Sequence, residues 1–487
     1  MAYISYTFVL FVLLSVILYY IVPKSWQWKL LLIASLVFYI SFGYINLVYV
    51  LVFTFITWYG AKKIEKYIAN GINTGILVCV LSVLIICNLG FLLFIKWFGI
   101  GLVLINRLFG TTLVWRFFLP LGISFFTFQN TSYLIDVYKG KIAAEKNLGR
   151  YLLYSTYFPN IVSGPINRYE EMEPQFFCGH SFQKDMCYSA VLRILWGFIK
   201  KMVLADRAAI FAEQVFSHYY MYRGLFILLA VLLYSLQLYM DFSGCMDIVI
   251  GVSKLFGIDM RENFQAPFGA NTVADFWRRW HMSLTSWFRD YVYIPLGGNR
   301  KGKLRKYLNI MLVFILCGAW HGAGITYLLW GFLSGFYQIV GDLTHNLRIK
   351  ICSVFGLDQN SYGAVLRKRL TTFLLFEFSV LFFRANGIQE AFIMLRRLIT
   401  GWNPWILSDG TLYEVGLDIW DFLVLIIGTV CVSLVSHFGY KKNLHQIFMK
   451  QSWLFRTCII IFAIVIWYLF GIYGPGFDTA NFIYYNF

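Results

Sequence analysis

Apolar runs broken by short basic or glycine-bearing stretches repeat along most of this chain. The first covers residues 8–22 and lacks both a basic leader and a small-residue cleavage site, so it reads as a retained span. The next, residues 30–59, is interrupted at 43–46. Lys24 and Lys29 precede it and Lys62, Lys63 and Lys66 follow it. Two spans joined by a turn would put both basic groups on the same, inner face of a membrane. Residues 75–95 form another span, and Lys96, Trp97 and Arg107 frame a short segment with a re-entrant pattern. Residues 117–139 read as a span kinked by Pro120. Residues 186–203 read as a span ending at Lys200 and Lys201, and 224–255 as a long one holding Gln237, Asp241, Ser243 and Asp247. Residues 421–437 and 453–473 look like the last two. The pattern predicts an all-α integral membrane protein of about eleven spans, with re-entrant and interfacial helices between them.

The densest chemistry lies between residues 276 and 321. Phe276, Trp277, Trp280, His281, Leu284, Trp287, Phe288 and Tyr291 recur at three- and four-residue spacing, which predicts one amphipathic helix with His281 on its apolar side. Pro295, Gly297 and Gly298 end that pattern, and Asn299, Arg300, Lys301, Lys303, Arg305 and Lys306 follow. Residues 307–341 are then uncharged, too long for one span and slightly short for two with a loop. Gly318, Gly322 and Gly324 weaken a helix near the middle. A helix running from Lys306 carries His321 roughly 22 Å along its axis at about 1.5 Å per residue. A hydrocarbon core is about 30 Å thick, so this histidine lies deep in the membrane region. An ionisable side chain there is either bonded to a neighbouring helix or part of a functional pathway.

Composition narrows the class. Of 487 residues, 59% are apolar and 13% charged, against about 25% charged in soluble domains. The chain reads as a single membrane unit, residues 1–487. Its net charge of +17 collects in short loops between spans, a positive-inside pattern that favours membrane lipids as partners over nucleic acid. None of the nine cysteines forms a CxxC pair, which argues against a metal site or a disulfide framework. Cys317, one turn before His321, is either a packing residue or part of an acyl relay. The carboxylate of Asp241 needs a partner, for which Arg289 or Arg384 is a candidate; otherwise it lines a tunnel or orients a histidine.

Several stretches together resemble the membrane-bound O-acyltransferases, and within them the bacterial branch that O-acetylates alginate and other exported polysaccharides. They are Pro120 to Gln129, Ser132 to Asp136, Phe158 to Arg168, Asp241 to Gly244, Arg261 to Phe264, the tract from Phe276 to Arg300, and Trp320-His321-Gly322. Phe383-Arg384-Ala385 and the aromatic tail at 482–487 are similar too. The signature-bearing core is about 117–345. The resemblance implies helices around a central tunnel, His321 as the hallmark histidine and His281 as a second polar position. It further implies acyl transfer from acetyl-CoA or another thioester, with no tightly bound cofactor and no metal. It places the chain in the bacterial cytoplasmic membrane, relaying an acyl group to a separate extracytoplasmic acetyltransferase that modifies a polysaccharide acceptor. Asn299, Arg300 and Lys301 would meet donor phosphates, although positive-inside topology alone also explains them.

One position departs from the branch. Where it often has Trp-Gly-x-x-His-Gly, this chain reads Trp330-Gly-Phe-Leu-Ser334-Gly. Three other readings stay open: a D-alanyl exporter for teichoic acid, a polysaccharide transporter, and a non-catalytic scaffold. The absence of an internal repeat weakens a transporter built from inverted halves.

Overall fold

A computed structural model describes residues 1–115, 120, 122–441 and 444–474. The aromatic tail therefore lies outside the described residues, as do four of the five residues at 117–121. The described chain is helical and divides into two compact units. One comprises Met1–Ile194 and Cys245–Arg261, the other Leu195–Gly244 and Glu262–Phe477.

In the first unit, Tyr6–Ile21 is capped by Ser5, whose hydroxyl accepts from the Phe8 amide at 3.2 Å. The break expected near residue 43 is a turn at Gly43, with φ +110°, between Lys24–Ile40 and Tyr44–Ala69. The segment framed by Lys96 and Arg107 is not re-entrant. Thr74–Ile85 runs through a π-helical turn at Ile86–Gly90 into Phe91–Phe109 without leaving helix.

Pro120 does not kink a span either. Helix Ile123–Tyr138 starts after it, at Gly122 with φ +67°, where an added Cβ would come within 2.1 Å of the Ile161 carbonyl. This helix is buried on nearly all sides although it carries Gln129, Asn130 and Asp136. Protein, not lipid, surrounds it, and the Tyr151 hydroxyl donates to Asn130 Oδ1 at 2.8 Å. The irregular segment 158–168 is likewise buried, and the Tyr3 hydroxyl lies 3.1 and 3.0 Å from the carbonyls of Phe158 and Pro159. Non-helical backbone at membrane depth is tolerated only when enclosed in this way.

In the second unit, the uncharged run forms a hairpin of Gly302–His321 and Ile325–Leu343, broken at the three residues from Gly322 to Gly324. Glycine lets the two backbones touch. A Cβ on Gly318 would lie 2.3 Å from the Tyr327 carbonyl, and one on Gly331 would lie 2.3 Å from that of Phe314. Helix Tyr362–Arg384 packs beside the hairpin. Trp453–Phe470 fully buries only Ala463; Trp467 stacks on Phe198 at 5.1 Å, and most of the helix is exposed.

By length and composition, five described helices can cross a membrane: Tyr44–Ala69, Thr74–Phe109, Leu225–Leu255, Ile419–Gly439 and Trp453–Phe470. Tyr6–Ile21 is a shorter apolar helix. The larger number read from hydropathy includes segments that are shorter or more charged than these.

Candidate active site

His281 does not lie on a continuous helix. Val273–Arg279 and Met282–Phe288 are two short helices, and His281 stands between them with φ +46° and ψ +53°. For a residue other than glycine this left-handed conformation costs about 1–3 kcal/mol and must be held by its surroundings. Asn263, itself buried, does that holding. Its carbonyl accepts from the Met282 amide at 3.0 Å, and its side-chain Oδ1 from the Ser283 amide at 2.9 Å. The first helix is set by Thr272, whose hydroxyl accepts from the Asp275 amide, and by an Arg279–Asp275 ion pair at 2.8 Å.

The turn delivers His281 to an aromatic wall that it shares with His321. The His281 ring stands edge-on to Phe242, with centroids 4.7 Å apart, and 6.2 Å from Trp320. His321 is the last residue of its helix, and its ring sits 4.6 Å from Trp320, 5.1 Å from Trp330 and 5.2 Å from Phe383. Both histidines are almost wholly buried, at 1% and 4% exposure. Trp320 is therefore the common neighbour of the two imidazoles. An imidazole among aromatic rings, at the end of a helix and beside a glycine break, can exchange a proton with a bound hydroxyl while bulk water is excluded.

The structure corrects the partner assigned to Asp241. Neither Arg289 nor Arg384 pairs with it. Lys201 Nζ lies 2.5 Å from Asp241 Oδ1 and 2.7 Å from Asp206 Oδ1. Lys201 sits in a π-helical stretch, Ile199–Ala205, which continues as helix into Asp206–Ser217. Lys200 and Lys201 are thus buried inside the protein and do not end a span. Two adjacent lysines closing an apolar run look like an interfacial stop in sequence, and no local signal marks the acid that meets them. Asp241 directly precedes Phe242, so this ion pair fixes the helix carrying the ring against His281.

The remaining candidates fall in different places. Arg289 is exposed and pairs with Asp290 at 2.8 Å. Arg384 pairs with Glu213 and lies over the rings of Phe216 and Tyr234, 5.2 and 5.7 Å from their centroids. Ser334 donates to the Trp330 carbonyl at 2.9 Å and lines a small cavity with Trp277, Tyr337, Thr372 and Ser379. Asn299, Arg300 and Lys301 are exposed in the turn before Gly302–His321. Asn309 clips that turn through the Gly298 carbonyl at 3.1 Å. His321 closes the opposite end of the same helix, about 30 Å away at the usual rise. The structure therefore separates the basic turn from the histidines.

The class follows from comparison with known proteins. Residues 145–367 match the membrane-bound O-acyltransferase (MBOAT) family. A "probable alginate O-acetylase" of Pseudomonas aeruginosa is 34% identical over 439 residues, covering 88% of this chain and 79% of that protein. A "peptidoglycan O-acetyltransferase" of Helicobacter pylori is 32% identical over 414 residues, 77% and 74% of the two chains. A "teichoic acid D-alanyltransferase" of Bacillus subtilis is 32% identical over 223 residues, 43% of this chain and 56% of that one. The chain belongs to the MBOAT family and is a multi-pass membrane O-acyltransferase. Within the family it falls in the polysaccharide O-acetylation branch.

Lys201, Trp320 and Asn263 join the site only in the fold, although Asn263 and Trp320 both lie in stretches that carry the family resemblance. His281 has a backbone consequence that can be measured. His281→Ala loses the ring and keeps the left-handed strain, whereas asparagine tolerates that conformation. His281→Asn is therefore expected to unfold at a higher temperature than His281→Ala in detergent. If His281 acts chemically, the two variants lose activity alike.

Proposed function

We propose that this chain takes an acetyl group from a cytoplasmic thioester, most simply acetyl-CoA, and passes it across the bacterial cytoplasmic membrane for O-acetylation of an exported polysaccharide. The observation that carries this reading is the pairing of His281 and His321 around Trp320, on the backbone of a chain whose relatives are named as acetyl transferases over most of its length. The proposed frame is about eleven membrane segments around a tunnel, with an extracytoplasmic acetyltransferase as partner.

In this mechanism His321 is the general base. Its imidazole takes the proton of an acceptor hydroxyl as the oxygen attacks the thioester carbonyl. The tetrahedral intermediate then expels the thiolate, which regains a proton, and an ester remains. His281, held rigidly by Asn263, orients the acyl carbonyl or stabilises its developing negative charge. Asn299, Arg300 and Lys301 receive donor phosphates at the far end of the His321 helix. Their separation from the histidines, about one helix length, supports a route in which the thioester reaches inward from the basic face. The shorter coverage of the D-alanyltransferase relative favours acetyl over D-alanyl.

The test uses the purified full chain in liposomes with radiolabelled acetyl-CoA. Label transferred or released by the native protein and not by His321→Ala supports the proposal. Failure to turn over the donor, with the extracytoplasmic partner also supplied, redirects it to a carrier-protein thioester or a non-enzymatic role.

A further inference from the structure

Between helices Tyr362–Arg384 and Ile419–Lys441 lies a segment that the acyl-transfer reading does not use. It consists of helix Ile388–Thr400 and two 3-10 turns, Pro404–Leu407 and Thr411–Val415. The helix carries Arg396 and Arg397; beyond it, from residue 398 to 440, the sequence contains no lysine or arginine, but it does contain Asp409, Glu414, Asp418 and Asp421. The preceding helix opens with Arg367, Lys368 and Arg369, and the following one leads to Lys441 and Lys442. With helix Tyr362–Arg384 taken as crossing, like Ile419–Lys441, the positive-inside rule makes both basic groups cytoplasmic and puts the segment between them on the outer face.

Its surface is not that of a water-facing loop. Trp402 and Trp405 are each 54% exposed and Trp420 is 71% exposed. On helix Ile388–Thr400 the apolar side is wider than the protein covers. Ala391 and Met394 are buried, while Phe392, whose ring meets that of Phe382 edge-on at 5.9 Å, and Ile399 remain 56% and 76% exposed. Arg396 and Gln389 occupy the arc beside the uncovered strip, as in helices that lie along a bilayer surface.

The backbone beneath the exposed rings is tied to a neighbouring turn. Arg397 Nε donates to the Tyr222 carbonyl at 2.7 Å, and Gly224 N donates to the Arg397 carbonyl at 3.0 Å. Asn403 is buried, with its Oδ1 accepting from Leu225 N at 2.8 Å. Gly224 is needed at this clamp, since a Cβ there would lie 2.2 Å from Asn403 Oδ1 and 2.3 Å from the Gly401 carbonyl. Ile406, Leu412, Val415 and Leu417 are buried beneath. The clamp fixes the backbone that carries the tryptophans.

We propose that the segment 388–420 is an interfacial anchor seated in the outer leaflet. Its tryptophans and the Phe392–Ile399 strip lie at the boundary of headgroups and acyl chains, and Asp409, Glu414 and Asp418 face water. The lipid surface is the chosen occupant because the segment joins two helices with lipid-open faces, for example Leu370 and Leu374 on one and Ile426 and Ile427 on the other. Tryptophan is the residue enriched at that level of a bilayer. The anchor fixes the depth of helix Tyr362–Arg384, whose Phe383 packs on His321.

The experiment is difference fluorescence on the full chain in nanodiscs, comparing native protein with Trp402→Phe/Trp405→Phe. The emission lost in the double variant is the signal of these two rings. In lipid brominated near the headgroup end of the chains, more than half of that signal is expected to be quenched, with little effect from aqueous iodide. Quenching by iodide and not by brominated lipid overturns the proposal. So does an iodide-sensitive signal that becomes protected only when an extracytoplasmic protein is added, which would make the face a protein docking site. Sidedness is read from Asp409→Cys with a membrane-impermeant maleimide on intact spheroplasts, against the native chain as background. Labelling from outside supports the proposal, and labelling only after lysis overturns it.

Discussion

His321→Ala is expected to leave the protein folded and to lower acyl transfer by about 10²- to 10⁴-fold, the usual contribution of a positioned acid–base group. The shell around the ring explains both halves of that expectation. Trp320, Trp330 and Phe383 surround it, and none of these rings can take a hydroxyl proton. Trp330 and Phe383 also pack on each other at 5.0 Å, and Tyr327 on Phe383 at 5.2 Å, so the shell persists without the imidazole. His321→Gln sharpens the test, because it keeps polarity and most of the volume but has no pKa near neutrality. It should be as inactive as the alanine variant. Retention of more than a tenth of native activity by the glutamine variant would remove His321 from the base role. Loss of transfer with intact donor cleavage would place the histidine after the donor step. Size-exclusion profiles in detergent verify that each variant is folded.

What could be read in advance depended on whether the deciding interactions were local. The hairpin break at residues 322–324 was legible because glycines mark it in the sequence itself, and so was the helix that leads to His321. The turn at His281 was not legible. The three- and four-residue spacing from Phe276 to Tyr291 reports which side chains are buried, and one left-handed residue keeps them buried while splitting the helix. The cause lies in Asn263, a residue whose bonds to the Met282 and Ser283 amides exist only in the fold. Asp241 shows the same limit. That it needed a cation followed from its position in an apolar run. Which cation it met depended on packing between segments forty residues apart, and the nearest-looking arginines had acids of their own in Asp290 and Glu213.

The Asp241 pair supplies the largest expected effect on stability. Lys201→Met removes an ammonium that is 3% exposed from between two carboxylates, those of Asp241 and Asp206. Methionine fits the space, so packing changes little and the consequence is electrostatic. Breaking one side of a buried ion pair typically costs about 3–5 kcal/mol, because a charge stays behind in a medium that solvates it poorly. The helix bearing Asp241 and Phe242 should loosen, and the wall on His281 with it. Lys201→Met is therefore expected to show a marked drop in thermal midpoint in detergent, with little folded protein recovered. Adding Asp241→Asn to Lys201→Met removes one of the two stranded charges and should restore part of the lost stability, a coupling measurable as a double-mutant cycle. Additive losses in that cycle would mean that the contact at 2.5 Å contributes no net interaction. Recovery of stability without recovery of acyl transfer would show that the pair also sets the position of Phe242 against the histidine, beyond holding the fold.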